Sequence, residues 1–377
     1  MGRFIFIVFL VLPVCGFGQI DSILARLSLQ GDFRFRIEQD WSSRKSDGSL
    51  RDDRSRLRYR LRFGFEYQLS PWASFGARIR TGLPTKQQDP QLTLGDGFKE
   101  FSTLPIGFEK AYFEVKPGTW KIWMGKNTYP FEKNNELFWS DNVFPEGVFV
   151  GKRFPLETGI INEIGLSGGH FLVRARGTSF NEDSYYQAFQ VHIKAFDNRL
   201  SFFPTINRFA NMPNIPDGLG TFDIDYTILD LSLRYVVVKS PYVAVELDYF
   251  VNLQDYTSND SITTSIQDQN TAFMLGIQIG KLERKGDWAT TFTFNYQEQF
   301  SAVDYMAQND WVRWDYSSFG SLDGRLTNYR GIEIAGYYAV HDRINLVAKY
   351  YLAEQIVPYG EFKETGSRFR FDVDVRF

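Results

Sequence analysis

The chain has a single cysteine, Cys15, only three histidines, and no apolar run after residue 20 that reaches the roughly 20 residues of a membrane-spanning helix. One cysteine excludes an intrachain disulfide and a cysteine-ligated metal. His170, His192 and His341 are scattered, with no metal-ligand spacing and no nucleophile beside a base, so no enzyme, metal or cofactor site is expected. No phosphate-cradling glycine motif occurs either; Gly168-Gly169 reads as a hairpin turn. A mean hydropathy of -0.29 without a spanning helix would ordinarily describe a soluble chain. A protein that crosses a membrane with strands escapes that argument.

What is abundant points to such a protein. Aromatic residues make up 17% of the chain, with 36 Phe and 20 Tyr, which suits aromatic girdles at two water–lipid boundaries. Arg368 to Phe377 alternates strictly: Phe369, Phe371, Val373, Val375 and Phe377 share one face, and arginines and aspartates the other. A last amphipathic strand ending on Phe is the habit of outer-membrane barrels. The other end agrees, with a basic Met1-Gly2-Arg3, an apolar Phe4 to Leu12 and small residues at Gly16 and Gly18, so residues 1–18 are expected to be a signal peptide. The bulky Val14 before Cys15 argues against lipid attachment there. Export argues against a nucleic-acid partner despite the many arginines.

Between the ends, short turns alternate with longer polar stretches. Turns are expected at Ser70-Pro71, Lys116-Pro117-Gly118, Gly168-Gly169, Asp197-Asn198, Lys239-Ser240-Pro241, Arg284 to Asp287 and His341-Asp342. Longer segments are expected at about 39–53, 83–106, 127–159, 181–184, 208–220, 255–269, 301–327 and 355–366. The expected fold is one all-β domain over 19–377, a transmembrane antiparallel barrel of about sixteen strands (14–18) with short periplasmic turns and long extracellular loops. Helical periodicity is missing. Trp72, Trp120, Tyr242 and Trp288 each follow a short turn closely and are expected to form the inner aromatic belt.

Function is most legible in Arg54-Ser55-Arg56-Leu57-Arg58-Tyr59-Arg60-Leu61-Arg62-Phe63. With period two, five guanidiniums share one face, and each would cost about 2–4 kcal/mol in hydrocarbon, so they are expected to line water. Barrel closure should set beside them Arg34 and Arg36 of the first strand, Arg78 and Arg80 of the third, and Arg368, Arg370 and Arg376 of the last. Those twelve arginines would face Asp32, Glu38, Glu66, Asp372 and Asp374, leaving a positive wall that guides anions. The stretch 127–159 is rich in aromatics that would be an apolar patch in water, so it is expected to fold into the barrel as a constriction, with Glu132, Glu136, Asp141 and Glu146 facing the arginines.

Gly31-Asp32-Phe33-Arg34-Phe35-Arg36, Arg51-Asp52-Asp53-Arg54, Gln91-Leu92-Thr93-Leu94-Gly95, Gly125-Lys126 with Pro130-Phe131, and Trp139-Ser140-Asp141-Asn142 with Pro145-Glu146-Gly147-Val148 resemble the putative porins of Bacteroidota-type outer membranes, a group similar to the phosphate-selective porins. The resemblance covers about residues 31–150. It implies a passive channel for small hydrophilic or anionic solutes in outer-membrane lipid, commonly trimeric. It also implies insertion by the barrel-assembly machinery reading the final strand, with Phe377 as its signal. Phosphate selectivity in those relatives rests on channel lysines, whereas the wall here is arginine. The competing reading is a non-conducting barrel that acts through its loops as adhesin, receptor or structural protein.

Overall fold

The computed structural model describes residues 24–85, 87–96, 103–156, 159–177, 179–214, 222–311 and 326–377; the expected signal peptide lies outside them. Its strands are β1 (Leu27–Arg44), β2 (Arg54–Ser70), β3 (Ala73–Thr81), β4 (Leu92–Thr93), β5 (Ile106–Val115), β6 (Trp120–Lys126), β7 (Glu146–Pro155), β8 (Ile161–Arg174) and β9 (Ser184–Ala195). They continue as β10 (Leu200–Phe202), β11 (Thr205–Pro213), β12 (Asp223–Lys239), β13 (Tyr242–Asn252), β14 (Thr271–Gly280), β15 (Trp288–Gln297), β16 (Tyr329–His341), β17 (Ile344–Gln355) and β18 (Thr365–Arg376). A single 3₁₀ turn, Thr264–Ile266, interrupts the strands and loops.

Every pairing is antiparallel, and β1 is bonded to both β2 and β18, so the sheet closes on itself. β10 and β11 both lie between β9 and β12 as halves of one stave, and β4 is a short rung added to β2. The ring therefore has sixteen staves. Closure leaves no open edge around most of the wall, the condition that hydrocarbon imposes on a sheet.

Period-two patterning sorts the faces as expected. Along β2 the guanidiniums of Arg58, Arg60 and Arg62 are buried while Leu57, Leu61 and Phe63 are exposed outward. Val243, Val245, Leu247, Tyr249 and Val251 of β13 face out in register with Leu231 and Leu233 of β12 and Phe273, Leu275 and Ile277 of β14. Trp72, Trp120, Trp288 and Tyr338 are exposed close to the short turns. Tyr242 departs from the expected belt: the strand register shifts between Val236 and Val238, and its hydroxyl accepts from Arg234 inside the barrel.

Two boundaries differ from the sequence reading. Gly168-Gly169 is not a turn but the middle of β8, and the chain turns instead between Pro155 and Ile161. The glycines are there for packing, since Gly169 leaves the room on the wall that the Phe171 ring fills. The expected 127–159 stretch ends at Pro145, because Glu146–Pro155 is the stave β7. The two errors cancel, which is why the strand count survives. Elsewhere β1 runs on to Arg44 and β11 to Pro213, past the starts of the loops expected at 39 and 208, and the connection expected at 181–184 begins after Arg174.

Placing Leu247→Arg on the outward face of β13 should destabilise the folded barrel in lipid by about 2–4 kcal/mol. Thr293→Arg, inward on β15, should stay within about 1 kcal/mol. Denaturant titration of the protein refolded in vesicles measures both.

Candidate functional site: the lumenal wall and the inward loops

Register decides the chemistry of the wall. β1 and β2 place Arg34 opposite Arg60 and Arg36 opposite Arg58, and β2 and β3 place Arg62 opposite Arg80. Like charges directly opposite repel, so each must find a carboxylate elsewhere. Arg34 grips Asp374 through two bonds of 2.5 and 2.8 Å, and Arg36 grips Asp372 through two of 2.7 Å, both across the seam to β18. Arg60 bonds Asp32 at 2.5 Å, and Arg56 pairs with Glu38.

Apart from Glu38, the remaining partners are carboxylates absent from the sequence reading. Asp40 is buried between Arg54 at 2.7 Å and Arg368 at 2.5 Å. Arg58 bonds Asp89 at 2.5 Å, and Arg370 bonds Glu38 at 2.9 Å and also Asp310. Glu109, 2% exposed, lies 2.8 Å from Arg62, 2.6 Å from Arg78 and 3.8 Å from Arg80. A β-bulge puts it there: Lys110 pairs with Arg78 and Phe108 with Ile79, so Glu109 is an extra residue whose side chain turns inward beside Lys110. The wall is therefore a lattice of alternating charge, with more carboxylates in it than the five expected to pair the arginines in part. Four guanidiniums keep one unmet donor each: the buried Nε of Arg56, Arg58, Arg60 and Arg62 has no acceptor among the described residues.

The other half of the barrel interior is apolar. Phe209, Tyr226, Ile228 and Phe250 point inward from β11, β12 and β13 and are almost fully buried. Residues 127–145 pack onto them: Trp139 lies 4.7 Å from Tyr129 and 5.0 Å from Tyr186, ring to ring, and Phe138 stacks on Phe250 at 5.3 Å. Polar ties fix its path. The Gln190 side chain exchanges two 2.9 Å bonds with the backbone of Glu132, Asn134 and Asn135 donate to Asp248, and Gln297 donates to the Leu137 carbonyl. A second inward segment, missed by the sequence reading, meets the first where Ser140 donates to the Met306 carbonyl and Gln308 to that of Glu136. Its Ala302, Val303 and Met306 join the aromatic cluster, while Arg368 donates to the Asp310 carbonyl. One signal for this core was available: Ile224, Tyr226 and Ile228 make one face of β12 apolar while Asp225 and Thr227 lie on the other, and it is the apolar face that the lumen receives, which a water-filled interior does not allow.

The four acids expected to face the ladder do not. Glu132 sits 3.8 Å from His192 on the β9 side, and Asp141 pairs with Lys133 at 2.7 Å. The Glu136 carboxylate accepts from the Asp141 backbone. Glu146 belongs to β7, faces outward and pairs with Lys126 at 2.5 Å. Asn142 is the loop residue that reaches the ladder, accepting from Arg62 at 2.8 Å, and Phe144 lies under the Arg78 guanidinium. Burial pushes the Glu136 carboxyl above the usual range, and Asp141 beside it adds to the effect. Burial opposes ionisation of Asp310 too, but Arg370, Arg36 and Lys349 outweigh it and hold that carboxyl below its ordinary value.

Two of the open spaces among the described residues are bordered by charged side chains of the wall. One of about 440 Å³ is bordered by Lys133, Glu136, Asp310, Glu246, Glu333 and Lys349. The other, about 340 Å³, is bordered by Asp32, Arg34, Arg60, Arg78, Asp374 and Arg376. His170 faces outward from β8 against Gln187 instead of marking a turn, while His341 does lie at one. Phe377 closes the seam, exchanging backbone bonds of 3.0 and 2.8 Å with Gly31.

Removing the shared carboxylate with Glu109→Gln should cost about 3–5 kcal/mol, since it strands Arg62 and Arg78 in the lattice. Lys126→Gln, which breaks an exposed pair, should cost less than about 1 kcal/mol. Denaturant midpoints of the two variants against the parent chain check the ranking.

The comparisons with known proteins agree with this architecture. No functionally curated protein matches the chain significantly. Among solved structures, OmpF of Salmonella typhi, determined in complex with daunomycin, aligns over 93% of this chain and 97% of its own with a TM-score of 0.55 at 12% identity. OprB of Pseudomonas putida, a high-pH structure, aligns over 96% of each chain with a TM-score of 0.55 at 12% identity. At that identity the likeness shows the fold. The model of the family described as "Putative porin" matches residues 48–192 and 217–377, most of the chain, and with a closed sixteen-stave barrel around a charged interior, the protein belongs to that family of outer-membrane channels.

Proposed function

We propose that the chain carries small hydrophilic solutes across the outer membrane by passive diffusion through the polar space between its loops and its arginine wall, with a lean toward anions. The observation that carries the anion preference is the open space of about 340 Å³ bordered by Arg34, Arg60, Arg78 and Arg376 against Asp32 and Asp374. An anion there would meet four guanidiniums against two carboxylates without breaking the lattice that holds each guanidinium in place. Internal pairing limits the effect, since Glu38, Asp40 and Glu109 each neutralise part of the field. The resemblance of residues 31–150 to the putative porins of Bacteroidota-type outer membranes, a group similar to the phosphate-selective porins, favours an anionic solute, while arginine in place of lysine weighs against phosphate itself.

In this reading Arg34, Arg36, Arg54, Arg78, Arg80, Arg368 and Arg370 line the passage with the ladder, and residues 127–145 narrow it through Glu132, Glu136 and Asp141. Residues 1–18 direct export, and the last strand with Phe377 is what the barrel-assembly machinery reads. A second reading has a specific observation behind it. The two inward segments touch β2, β9, β13, β15 and β18, which favours a barrel too full to conduct, acting through its outer loops.

Purified protein in a planar bilayer should give discrete current steps; their absence would favour the filled barrel. In a salt gradient the reversal potential should shift toward the anion, and replacing Arg58 and Arg60 with Ala should reduce that shift several-fold. A cation-directed potential would contradict the proposal. Because burial raises the Glu136 carboxyl, it loses charge sooner than an exposed glutamate as pH falls, so anion preference should grow on acidification and grow less in Glu136→Gln.

A further inference from the structure

The cavity of about 440 Å³ has the size of a small-molecule site. On the barrel side it is bordered by Gly276 of β14 and by Thr291 and Thr293 of β15, which are too small to fill it. Loop residues from Lys133 to Leu137 and from Gln308 to Trp311 border it on the other side. Gly276 also keeps space for a charge: a Cβ there would stand 3.1 Å from Oε2 of Glu246, whose carboxylate lies at the cavity edge.

The charges around this space do not all find partners. Five carboxylates border it, those of Glu136, Asp141, Asp310, Glu246 and Glu333, against the two lysines Lys133 and Lys349. Asp141 has Lys133 at 2.7 Å, Glu246 has Arg234 at 3.1 Å, Glu333 has Lys349 at 3.5 Å, and Asp310 pairs with Arg370. Glu136 has no cation at ion-pair distance among the described residues, and its carboxylate accepts from the Asp141 backbone at 2.9 Å. Burial and the charge of Asp141 both oppose its ionisation, so an ammonium group arriving there supplies what the protein does not. Lys349 is held loosely in turn. Its Nζ lies 3.5 Å from each Glu333 oxygen, against about 2.7–2.9 Å in a strong charge-assisted bond, which leaves it free to turn a donor toward a second anion.

We infer that this cavity binds a small zwitterion, an α-amino acid or a short peptide, with its ammonium group on Glu136 and its carboxylate on Lys349. The inference rests on the passive channel proposed above and names a class of solute for it. A solute with an anionic group alone leaves Glu136 unmet, and an uncharged sugar leaves both ends unmet, so the site discriminates by requiring two opposite charges. The arginine wall adjoins the carboxylate end, because Lys349 stands opposite Arg370 in the register of β17 and β18. Positive charge that draws an anionic group along the wall therefore continues to Lys349, while the carboxylates across the cavity take the other end of the same molecule.

The test is a saturation-transfer NMR titration of the full chain in detergent micelles with three probes: free glutamine, N-acetylglutamine, which lacks the ammonium group, and glutamine α-amide, which lacks the carboxylate. Glutamine should bind saturably and each analogue at least ten-fold more weakly, a comparison that needs no variant. In Glu136→Gln the affinity for glutamine should fall at least ten-fold, while Lys126→Gln, at an exposed outward pair, should bind it like the parent chain. Absence of saturable glutamine binding, equal affinity for glutamine and either analogue, or parent-like binding by folded Glu136→Gln would overturn the inference. The readout does not depend on ion flow. Glutamine binding by a chain that passes no current in a planar bilayer would sink the channel and keep the site, whereas current without glutamine binding would sink the site and keep the channel.

Discussion

In hydrocarbon a backbone N–H or C=O without a partner costs several kcal/mol, and so does a charged side chain, and these two constraints account for nearly everything in this molecule. The first closes the sheet, bringing β18 back to β1. The second assigns each residue of an alternating strand to one of two solvents, so that five arginines on β2 have a single direction available. Closure then supplies what the ladder needs. Asp372 and Asp374 lie more than 300 positions away in sequence, yet they become the bidentate partners of Arg36 and Arg34 only because the ring is shut.

The interior is divided by the same logic. Where staves present charge, from β18 through β3, the wall is a salt-bridged lattice rigid enough to hold guanidiniums opposite one another. Where they present aromatics, from β6 through β13, the interior needs cover, and residues 127–145 with part of the β15–β16 connection provide it. These segments are a second hydrophobic core inside the barrel. In the proposed function, solute has the polar space that this core leaves against the charged wall.

Much of this is legible in sequence because period two survives the absence of coordinates. The faces of β2, β13, β15 and β18 follow from alternation, and the strand count from punctuation by Pro, Gly and Asp. Failures occur where a residue breaks period or serves two purposes. Glu109 sits at a bulge, so its inward side chain is out of phase with the rest of β5. Gly168-Gly169 reads as a turn but makes room for a ring, and Tyr242 swings inward at a register shift. The partners Asp40, Asp89 and Asp310 lie in or next to stretches that pattern alone assigns to loops, and nothing local says which wall a loop will touch. Glu146, taken for a loop acid, is a stave residue on the opposite face.

Thiol labelling of single-cysteine variants tests the sorting of faces most directly, because Cys15 is the only native cysteine. In intact outer membranes, Arg78→Cys on β3 should react quickly with a charged, membrane-impermeant methanethiosulfonate while its neighbour Ile79→Cys stays inert. Fast reaction at 79 with none at 78 would mean that the arginines do not face the enclosed aqueous space, and the account would fail.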